Sequence, residues 1–234
     1  MTFEMYDALV AACDRVDSTP GVRVFVLRGA GGKAFASGTD IGQFASFTSH
    51  DDAIAYERRL DAVIDRIERV GAVTIAQVEG AATGGGCAMA LACDLRVCTP
   101  EARFGVPIAR TLGNCLSAAN YARLTDLIGP ARVKDILFSG RLMEAAEAAS
   151  LGLVNRIAEA GTIDAIVREL AGSIAANAPL TIRATKEALR RIQAARQPTP
   201  SLIDDLIAAC YTSEDFKEGV AAFLARRPPR FTGK

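Results

Sequence analysis

The sequence predicts an α/β fold in which a core of mainly parallel strands is followed by a helical C-terminal region. Up to about residue 110, short β-branched apolar segments alternate with helical patterns, as in parallel sheets covered by helices. Beyond Asn114 the apolar residues recur almost only at helical spacing. The 234 residues are enough for one large domain with a sizeable core, or for one domain with an appendage.

The first half of the chain predicts helices and strands in alternation. The opening helix has Met5, Leu9, Val10 and Cys13 at helical spacing. The only histidine, His50, falls in a polar stretch that we interpret as a solvated loop before the next helix. That helix, Asp51–Val70, has an apolar stripe of Leu60, Val63, Ile64 and Ile67 opposite a charged face. The predicted strands are Val22–Leu27, Val73–Val78, Leu95–Cys98 and Arg103–Phe104, and an Ala-rich run covers Cys87–Ala92.

The second half predicts seven helices. Thr162 and Ser201 are suitable N-cap residues, and Ser201 with Asp204 has the spacing of a capping box. The stretch Gln193–Pro200 contains two prolines and is the best candidate for a loop or hinge. The predicted helices are Asn114–Leu127, Ala131–Phe138, Glu144–Ser150, Thr162–Ala176, Leu180–Ala194, Ser201–Tyr211 and Glu214–Leu224.

Composition excludes several classes of function. Lys plus Arg and Asp plus Glu are 27 each, and this balance argues against a general nucleic-acid binder. No apolar run is long enough for a membrane span, and no signal peptide pattern opens the chain, so we expect a cytoplasmic protein. The six cysteines form no CxxC pair, so we expect reduced, buried thiols and no metal site.

Two glycine-bearing loops each follow a predicted buried strand. They are Lys33–Ile41 and Gly80–Cys87. Neither loop completes GxGxxG, because the third glycine position is Ala34 or Met89, and no Walker loop is present. Glycine lets backbone approach a ligand closely, and a glycine-rich turn before a helix directs N–H groups to one point. Spacing alone therefore leaves two interpretations equally open, an oxyanion hole or plain tight turns.

These loops resemble signature segments of the crotonase superfamily, also called the enoyl-CoA hydratase/isomerase family. Lys33–Ile41 is similar to the family's KAFxAGxD loop. The segment GAATGGGCAMALACD, from Gly80 to Asp94, is similar to its GxxxGGGxxLxxxCD segment. Further similar segments follow in the same order over nearly the whole chain, namely Ala102–Pro107, Leu142–Asn155, Ala178–Pro179 with Lys186, and Ser213–Leu224.

The resemblance implies a ββα spiral core, expected over residues 1–140, and a C-terminal helical region, expected over 141–234, that forms trimers or hexamers. It implies an acyl-CoA thioester as ligand, with CoA as part of the substrate and no separate cofactor. The thioester carbonyl would lie between the backbone N–H groups of Thr39 and Gly85. The residues assigned to substrate binding on this basis are Lys33, Ala36, Ser37, Asp40, Ile41, Gly84, Arg110 and Arg226.

The sequence departs from the family pattern at both glutamates that hydratases use as acid and base. Those places are Ala88 and Ile108 here, and neither side chain transfers a proton. We therefore expect weak hydration of enoyl-CoA. The sequence begins in the first helix of the family pattern, so either the start of the protein is assigned too late, the sequence is shortened, or the protein lacks the strands that precede this helix in the family. If the protein lacks them, we expect an exposed sheet edge and reduced CoA affinity.

Other groups are candidates for the missing chemistry. Asn114 is expected either to orient a carbonyl or water, or to be a helix N-cap. Cys115 is expected either to have a lowered pKa at a helix N-terminus, or to be a core thiol. Arg110 is a candidate clamp for a substrate carboxylate, or a solvated arginine. The alternatives are thus a lyase, decarboxylase or thioesterase on the same fold, or a non-catalytic acyl-CoA-binding homologue.

Overall fold

Strands alternate along the chain between two four-stranded sheets. The computed structural model describes residues 1–47, 49–159 and 161–234. The first sheet has the order β1-β3-β5-β8, from Val24–Arg28, Val73–Val78, Leu95–Cys98 and Arg156–Ile157. The second has the order β2-β4-β6-β7, from Ala34–Ala36, Ala81–Thr83, Arg103–Gly105 and Met143–Glu144. Neighbouring strands are parallel except β6 and β7, which are antiparallel.

Helices follow the strand pairs and then dominate the C-terminal region. None of the helices in the described ranges has the length and apolar character needed to cross a membrane. Short 3-10 helices cover Ala30–Gly32, Ile41–Ser46 and Pro200–Ile203. The α-helices are α1 Phe3–Ser18, α2 His50–Glu68, α3 Gly85–Ala92, α4 Ile108–Thr111, α5 Ala118–Ser139, α6 Ala145–Ser150, α7 Ile163–Ala176, α8 Pro179–Ala194, α9 Asp204–Tyr211 and α10 Glu214–Leu224.

The order of the elements forms a spiral of ββα units. In each of the pairs β1–β2, β3–β4 and β5–β6, the first strand belongs to one sheet and the second to the other, and a helix follows. Parallel pairing requires such crossovers, because a hairpin joins only antiparallel strands. The α/β class and the ββα spiral predicted from the sequence are confirmed. The segment after residue 140 adds β7 and β8, one to each sheet, before the C-terminal helices.

The core lies between the sheets and the helices that cover them. All six residues of β3 are buried, as expected for an inner parallel strand covered on both faces. On one side, Ile163, Val167 and Leu170 of α7 pack against Ile75 and Val97 of the first sheet. On the other side, the apolar stripe of α2 and almost all of α3 join the main core. The glycine loops are therefore mounted on buried, well-packed elements.

Several predicted helix starts differ from the observed ones by a few residues. Ser49 caps α2 in a capping box with Asp52, so His50 is the exposed first residue of that helix and not part of a loop. Ser201 lies inside a 3-10 helix, and α9 begins only at Asp204. Thr162 does precede α7, but its hydroxyl donates to the Glu159 carbonyl and does not cap the helix.

Candidate functional site

The two glycine loops lie directly against each other. A Cβ built on Gly86 would lie only 2.0 Å from the carbonyl oxygen of Ala36, so the backbone of the first loop passes over the start of α3. A Cβ built on Gly38 would lie 3.8 Å from the nitrogen of Gly85. Glycine at position 86 is required by this close approach. The two loops that the sequence analysis singled out are therefore neighbours in the fold.

Each loop presents a backbone amide without a protein acceptor. The N–H group of Gly84 donates to the Gly105 carbonyl at 3.0 Å, and that of Asp40 donates to the Met1 carbonyl at 2.8 Å. Within the described part of the chain, neither Thr39 nor Gly85 donates its own N–H group to a protein acceptor. Gly85 is the first residue of α3, where unsatisfied N–H groups and the helix dipole favour negative charge.

A buried cluster of three hydroxyls holds the Thr39 side chain beside Gly85. Its Oγ1 atom is 2.9 Å from the Tyr6 hydroxyl and 2.7 Å from the Tyr56 hydroxyl. A Cβ on Gly85 would lie 2.7 Å from the Tyr6 hydroxyl oxygen and 3.7 Å from Thr39 Oγ1. Burial raises the pKa values of both tyrosines, so the hydroxyls stay protonated and neutral. The cluster therefore fixes the first loop relative to α3.

The other end of α3 is held by a buried arginine. The Arg96 guanidinium donates to the Cys93 carbonyl at 2.6 Å and, more weakly, to the carbonyls of Ala90 and Leu91. It also donates to the Leu153 carbonyl. A cation at a helix C-terminus satisfies its last carbonyls and opposes the partial negative charge there. Arg96 thus fixes the helix whose first residue is Gly85.

A second polar cluster contains Glu57 on α2, Tyr211 at the end of α9 and Asn114 before α5. Glu57 is 4% exposed. Its Oε1 accepts from the Tyr211 hydroxyl at 2.5 Å, and the same hydroxyl accepts from Asn114 Nδ2 at 2.9 Å. Burial raises the pKa of Glu57 to about 8, although the Tyr211 hydroxyl and the Ser117 amide oppose this shift. The carboxyl is therefore mostly protonated at neutral pH.

The structure corrects the expectations that Asn114 caps a helix and that Cys115 begins one. Helix α5 starts at Ala118, and Ser117 caps it. Cys115 is buried and hydrogen-bonded to Cys210, and this bond together with burial raises its pKa. The predicted lowering of the Cys115 pKa is wrong.

The remaining predicted binding residues lie along the first loop or far from it. Ala36 is half-buried and Ile41 is buried, while Gly84 sits at φ +55° in the turn before α3. The structure does not bring the two predicted arginines to the loops: Arg110 is exposed with its Cβ facing Gly140, and Arg226 is exposed after α10. The exposed residues of the first loop are Lys33, Ser37 and Asp40.

Among the cavities outside the glycine loops are two that adjoin α9 or the end of α3. One, of about 580 Å³, is lined mainly by apolar side chains, among them Phe44, Tyr211, Phe216 and Leu224. The other, of about 520 Å³, lies between α8, α5 and the end of α3, beside the ion pair of Lys186 and Asp94. Tyr211 connects the first cavity to the polar cluster, because its hydroxyl bonds Glu57.

Sequence reasoning missed Tyr6, Tyr56, Glu57 and Tyr211. For Glu57 a signal was present. The apolar stripe of α2, continued toward its N-terminus from Leu60 and Ile64, reaches position 57. A carboxylate inside an apolar stripe is costly unless it is paired or neutral. The two N-terminal tyrosines carry no comparable signal, because their shared partner Thr39 is distant in the sequence.

Comparisons with known proteins identify the family of the chain. The profile of the family described as "Enoyl-CoA hydratase/isomerase" matches residues 1–234. A crotonyl-CoA hydratase of Syntrophomonas wolfei is 32% identical over 232 residues, covering 99% of this chain and 87% of its own. A crystal structure of an enoyl-CoA hydratase/isomerase from Xanthobacter autotrophicus superposes with a TM-score of 0.86 at 30% identity, over 100% of this chain and 90% of the other.

A structure of a methylmalonyl-CoA decarboxylase in complex with 2-nitronate-propionyl-CoA is also similar. Its TM-score is 0.88 at 28% identity, and the match covers 98% of this chain and 88% of that one. One fold thus accommodates proteins named as hydratases and a protein named as a decarboxylase.

Proposed function

Because the chain belongs to the enoyl-CoA hydratase/isomerase family, we propose that it binds an acyl-CoA thioester and stabilises the enolate of that thioester. The carbonyl oxygen would lie between the N–H groups of Thr39 and Gly85. Both amides lack a protein acceptor in the described part of the chain. The proposed chemistry uses no cofactor apart from the CoA that the substrate carries.

The observation that carries the proposal is the contact of the two loops at Ala36 and Gly86. On this proposal, the contact holds the two unused backbone donors close enough to bind one oxygen. Donors fixed in this way stabilise charge that develops on oxygen without reorganising, and one such donor is worth about 3–4 kcal/mol of transition-state stabilisation. The partial positive charge at the start of α3 adds to this effect.

The proposed reaction is not efficient hydration. Water addition to an enoyl thioester needs groups that exchange protons with water and with the α-carbon. The side chain of Ala88 on α3 and that of Ile108 at the start of α4 cannot exchange a proton. We expect turnover of crotonyl-CoA to be at least 100-fold below that of an efficient hydratase, measured as loss of the enoyl absorbance. Turnover equal to such a hydratase would refute this part of the proposal.

Decarboxylation is the second candidate, favoured by the similarity to a methylmalonyl-CoA decarboxylase. Loss of CO₂ from the α-carbon leaves the electron pair of the broken bond as an enolate. The oxyanion hole alone supports that step, since no base has to remove a proton. A proton must then be returned to the α-carbon.

We also propose that the protein is a trimer or a pair of trimers. Large apolar side chains are exposed on the C-terminal helices, including Leu180, Leu189, Leu206 and Phe223. Exposed apolar surface of this kind is typical of an interface between subunits. The native mass, measured by light scattering, should be three or six times that of one 24.7 kDa chain.

A panel of acyl-CoA thioesters tests the function, including crotonyl-CoA, butyryl-CoA and methylmalonyl-CoA. A ligand that binds the folded state raises the melting temperature, and mass spectrometry of each mixture identifies any product. We expect at least one thioester, and not free CoA alone, to stabilise the protein. Failure of every thioester to do so would refute the proposal.

A further inference from the structure

Helix α2 places a carboxyl in the apolar face by which it joins the core. Glu57 lies among the buried residues Ala53, Leu60 and Ile64 of that face, and it is 4% exposed. A buried carboxyl is costly in either protonation state unless hydrogen bonds satisfy it. Packing of the apolar face therefore does not explain why a carboxyl occupies this position.

The hydrogen bonds of this cluster leave two acceptors unused. The Tyr211 hydroxyl donates to Glu57 Oε1, and Asn114 Nδ2 in turn donates to that hydroxyl. Among the described residues, Glu57 Oε2 and Asn114 Oδ1 are buried with no hydrogen-bond partner. The Ser117 amide lies close to the carboxyl, but it makes no hydrogen bond of ordinary geometry to Oε2. A carboxyl held through one oxygen in this way is arranged to exchange a proton with a further group through the other.

Neighbouring residues of α2 place Glu57 close to the oxyanion hole. The preceding residue, Tyr56, bonds Thr39 Oγ1 at 2.7 Å. One turn further on, Leu60 Cδ1 would lie 3.8 Å from a Cβ on Gly85. Glu57 accepts a hydrogen bond from Tyr211 at the end of α9. Tyr211 in turn accepts one from Asn114, in the segment before α5.

We propose that Glu57 transfers a proton to and from the α-carbon of the bound acyl group, with Tyr211 and Asn114 as positioning residues. This inference rests on the proposed function. The carboxylate Oε2 takes the proton, and the electrons of the C–H bond form the carbon–carbon double bond of the enolate. The carbonyl π electrons move to the oxygen held by Thr39 and Gly85. In reverse, the protonated carboxyl returns the proton to the α-carbon.

The charge state of Glu57 depends on groups from every element that faces it. Its own helix contributes Asp61, whose charge disfavours a second carboxylate nearby. The tyrosines in electrostatic contact with Glu57 are Tyr6, Tyr56, Tyr121 and Tyr211, and all of them are neutral near pH 7. The thiol of Cys115 is also in electrostatic contact with Glu57, and it lies beside the free thiol of Cys210. Removal of a proton from carbon requires the carboxylate form of Glu57. The rate should therefore rise with pH through a midpoint near 8.

Exchange of the α-hydrogens of butyryl-CoA in D₂O, followed by proton NMR, tests the assignment. Wild type and two variants, Glu57→Gln and Asp61→Asn, are compared. Asp61 is a matched control because it is a second carboxyl on α2, one turn from Glu57, and it accepts hydrogen bonds from Ser117 and Asn120. Glutamine keeps the size of the neutral carboxyl, so the E57Q protein should fold. Binding is measured separately as the shift in melting temperature caused by butyryl-CoA.

We expect the exchange rate to fall at least 100-fold in E57Q, with the melting-temperature shift retained, and to change less than about threefold in D61N when both are measured at a pH above their midpoints. The midpoint should lie near 8 in wild type and lower in D61N, because asparagine removes the charge of Asp61 that raises the Glu57 pKa, and it should be absent in E57Q. Two results overturn the Glu57 assignment while thioester binding stands, provided that wild type binds butyryl-CoA. In one, E57Q exchanges as fast as wild type; in the other, wild type does not exchange at all. If wild type is not stabilised by butyryl-CoA or by any other thioester of the panel, the proposed function fails, and this assignment with it. Should E57Q be unfolded, a wild-type exchange rate without a rise near pH 8 still overturns the assignment.

Discussion

Replacing Gly86 by alanine tests the contact on which the proposed oxyanion hole depends. The new Cβ would lie 2.0 Å from the Ala36 carbonyl oxygen and 2.6 Å from its carbonyl carbon. Both are backbone atoms, so no side-chain rotation relieves the contact. The first loop must move by about 1 Å before the Cβ–oxygen separation reaches 3.0 Å, a shift comparable to those that cost about 100-fold in rate when reacting groups are misplaced.

The movement separates the N–H groups of Thr39 and Gly85. Loss of one oxyanion donor reduces kcat by about 10²–10³, or roughly 3–4 kcal/mol. Overpacking of this kind also lowers the free energy of unfolding by about 1–3 kcal/mol. We therefore expect G86A to remain folded at 25 °C and to exchange the α-hydrogens of butyryl-CoA at least 100-fold more slowly than wild type.

The matched control is Gly172→Ala on the outer part of α7. A Cβ there meets no atom within 4 Å, and alanine favours a helix over glycine by about 1 kcal/mol. G172A should therefore exchange like wild type and unfold at a slightly higher urea concentration. The reasoning is refuted if folded G86A retains the exchange rate of wild type, because the two loops would then not need their close approach.

Three further predictions concern the polar groups of the core. Tyr211→Phe removes a hydrogen bond that lowers the pKa of Glu57, so the pH midpoint of exchange should move above that of wild type; an unchanged midpoint would contradict this. Arg96→Met leaves the buried carbonyls of Cys93 and Leu153 without a donor. The free energy of unfolding, measured in urea, should fall by about 2–5 kcal/mol. The control Arg69→Met, which removes an exposed ion pair, should lower it by less than about 1 kcal/mol. Because the native pKa of Glu57 is raised from 4.5 to about 8, the native state keeps a proton that the unfolded chain loses above pH 4.5. This contribution to stability is complete below pH 4.5 and falls by several kcal/mol as pH rises to 8; E57Q should lack this fall, and a wild type equally stable at pH 5 and pH 8 would argue against it.

Helix boundaries show where local sequence is a poor guide. Ser201 and Asp204 have the spacing of a capping box, yet Pro200 begins a 3-10 helix that contains Ser201. Asn114 is a suitable cap by residue type, but its side chain bonds Tyr211 instead, and Ser117 caps α5. Residue preference does not include the 3-10 helix that Pro200 begins, nor the distant tyrosine to which the Asn114 side chain donates.

The glycine pattern shows the opposite case. Three consecutive glycines after a buried strand and before an apolar helix indicate a turn that needs positive φ or a close backbone approach. Elsewhere such glycines would only cost conformational entropy on folding. The two loops could therefore be singled out from residues 33–41 and 80–87, although spacing alone did not distinguish an oxyanion hole from plain tight turns. Which amide remains unused was not accessible, since that depends on the hydrogen bonds of Gly84 to Gly105 and of Asp40 to Met1.

Periodicity and the placement of glycine within short segments were enough to predict the α/β class and strands β1, β3, β5 and β6. They were not enough to predict the short strands β2 and β4, which lie inside the two segments predicted as loops. Three sets of contacts depend on the packing of distant segments. Tyr6 and Tyr56 hydrogen-bond Thr39, and Arg96 donates to the carbonyls at the end of α3. Glu57 bonds Tyr211, which accepts from Asn114. Glu57 and Tyr211 are 154 positions apart in the chain. Their protonation and hydrogen bonding are consequences of burial, which exists only after distant segments have packed together.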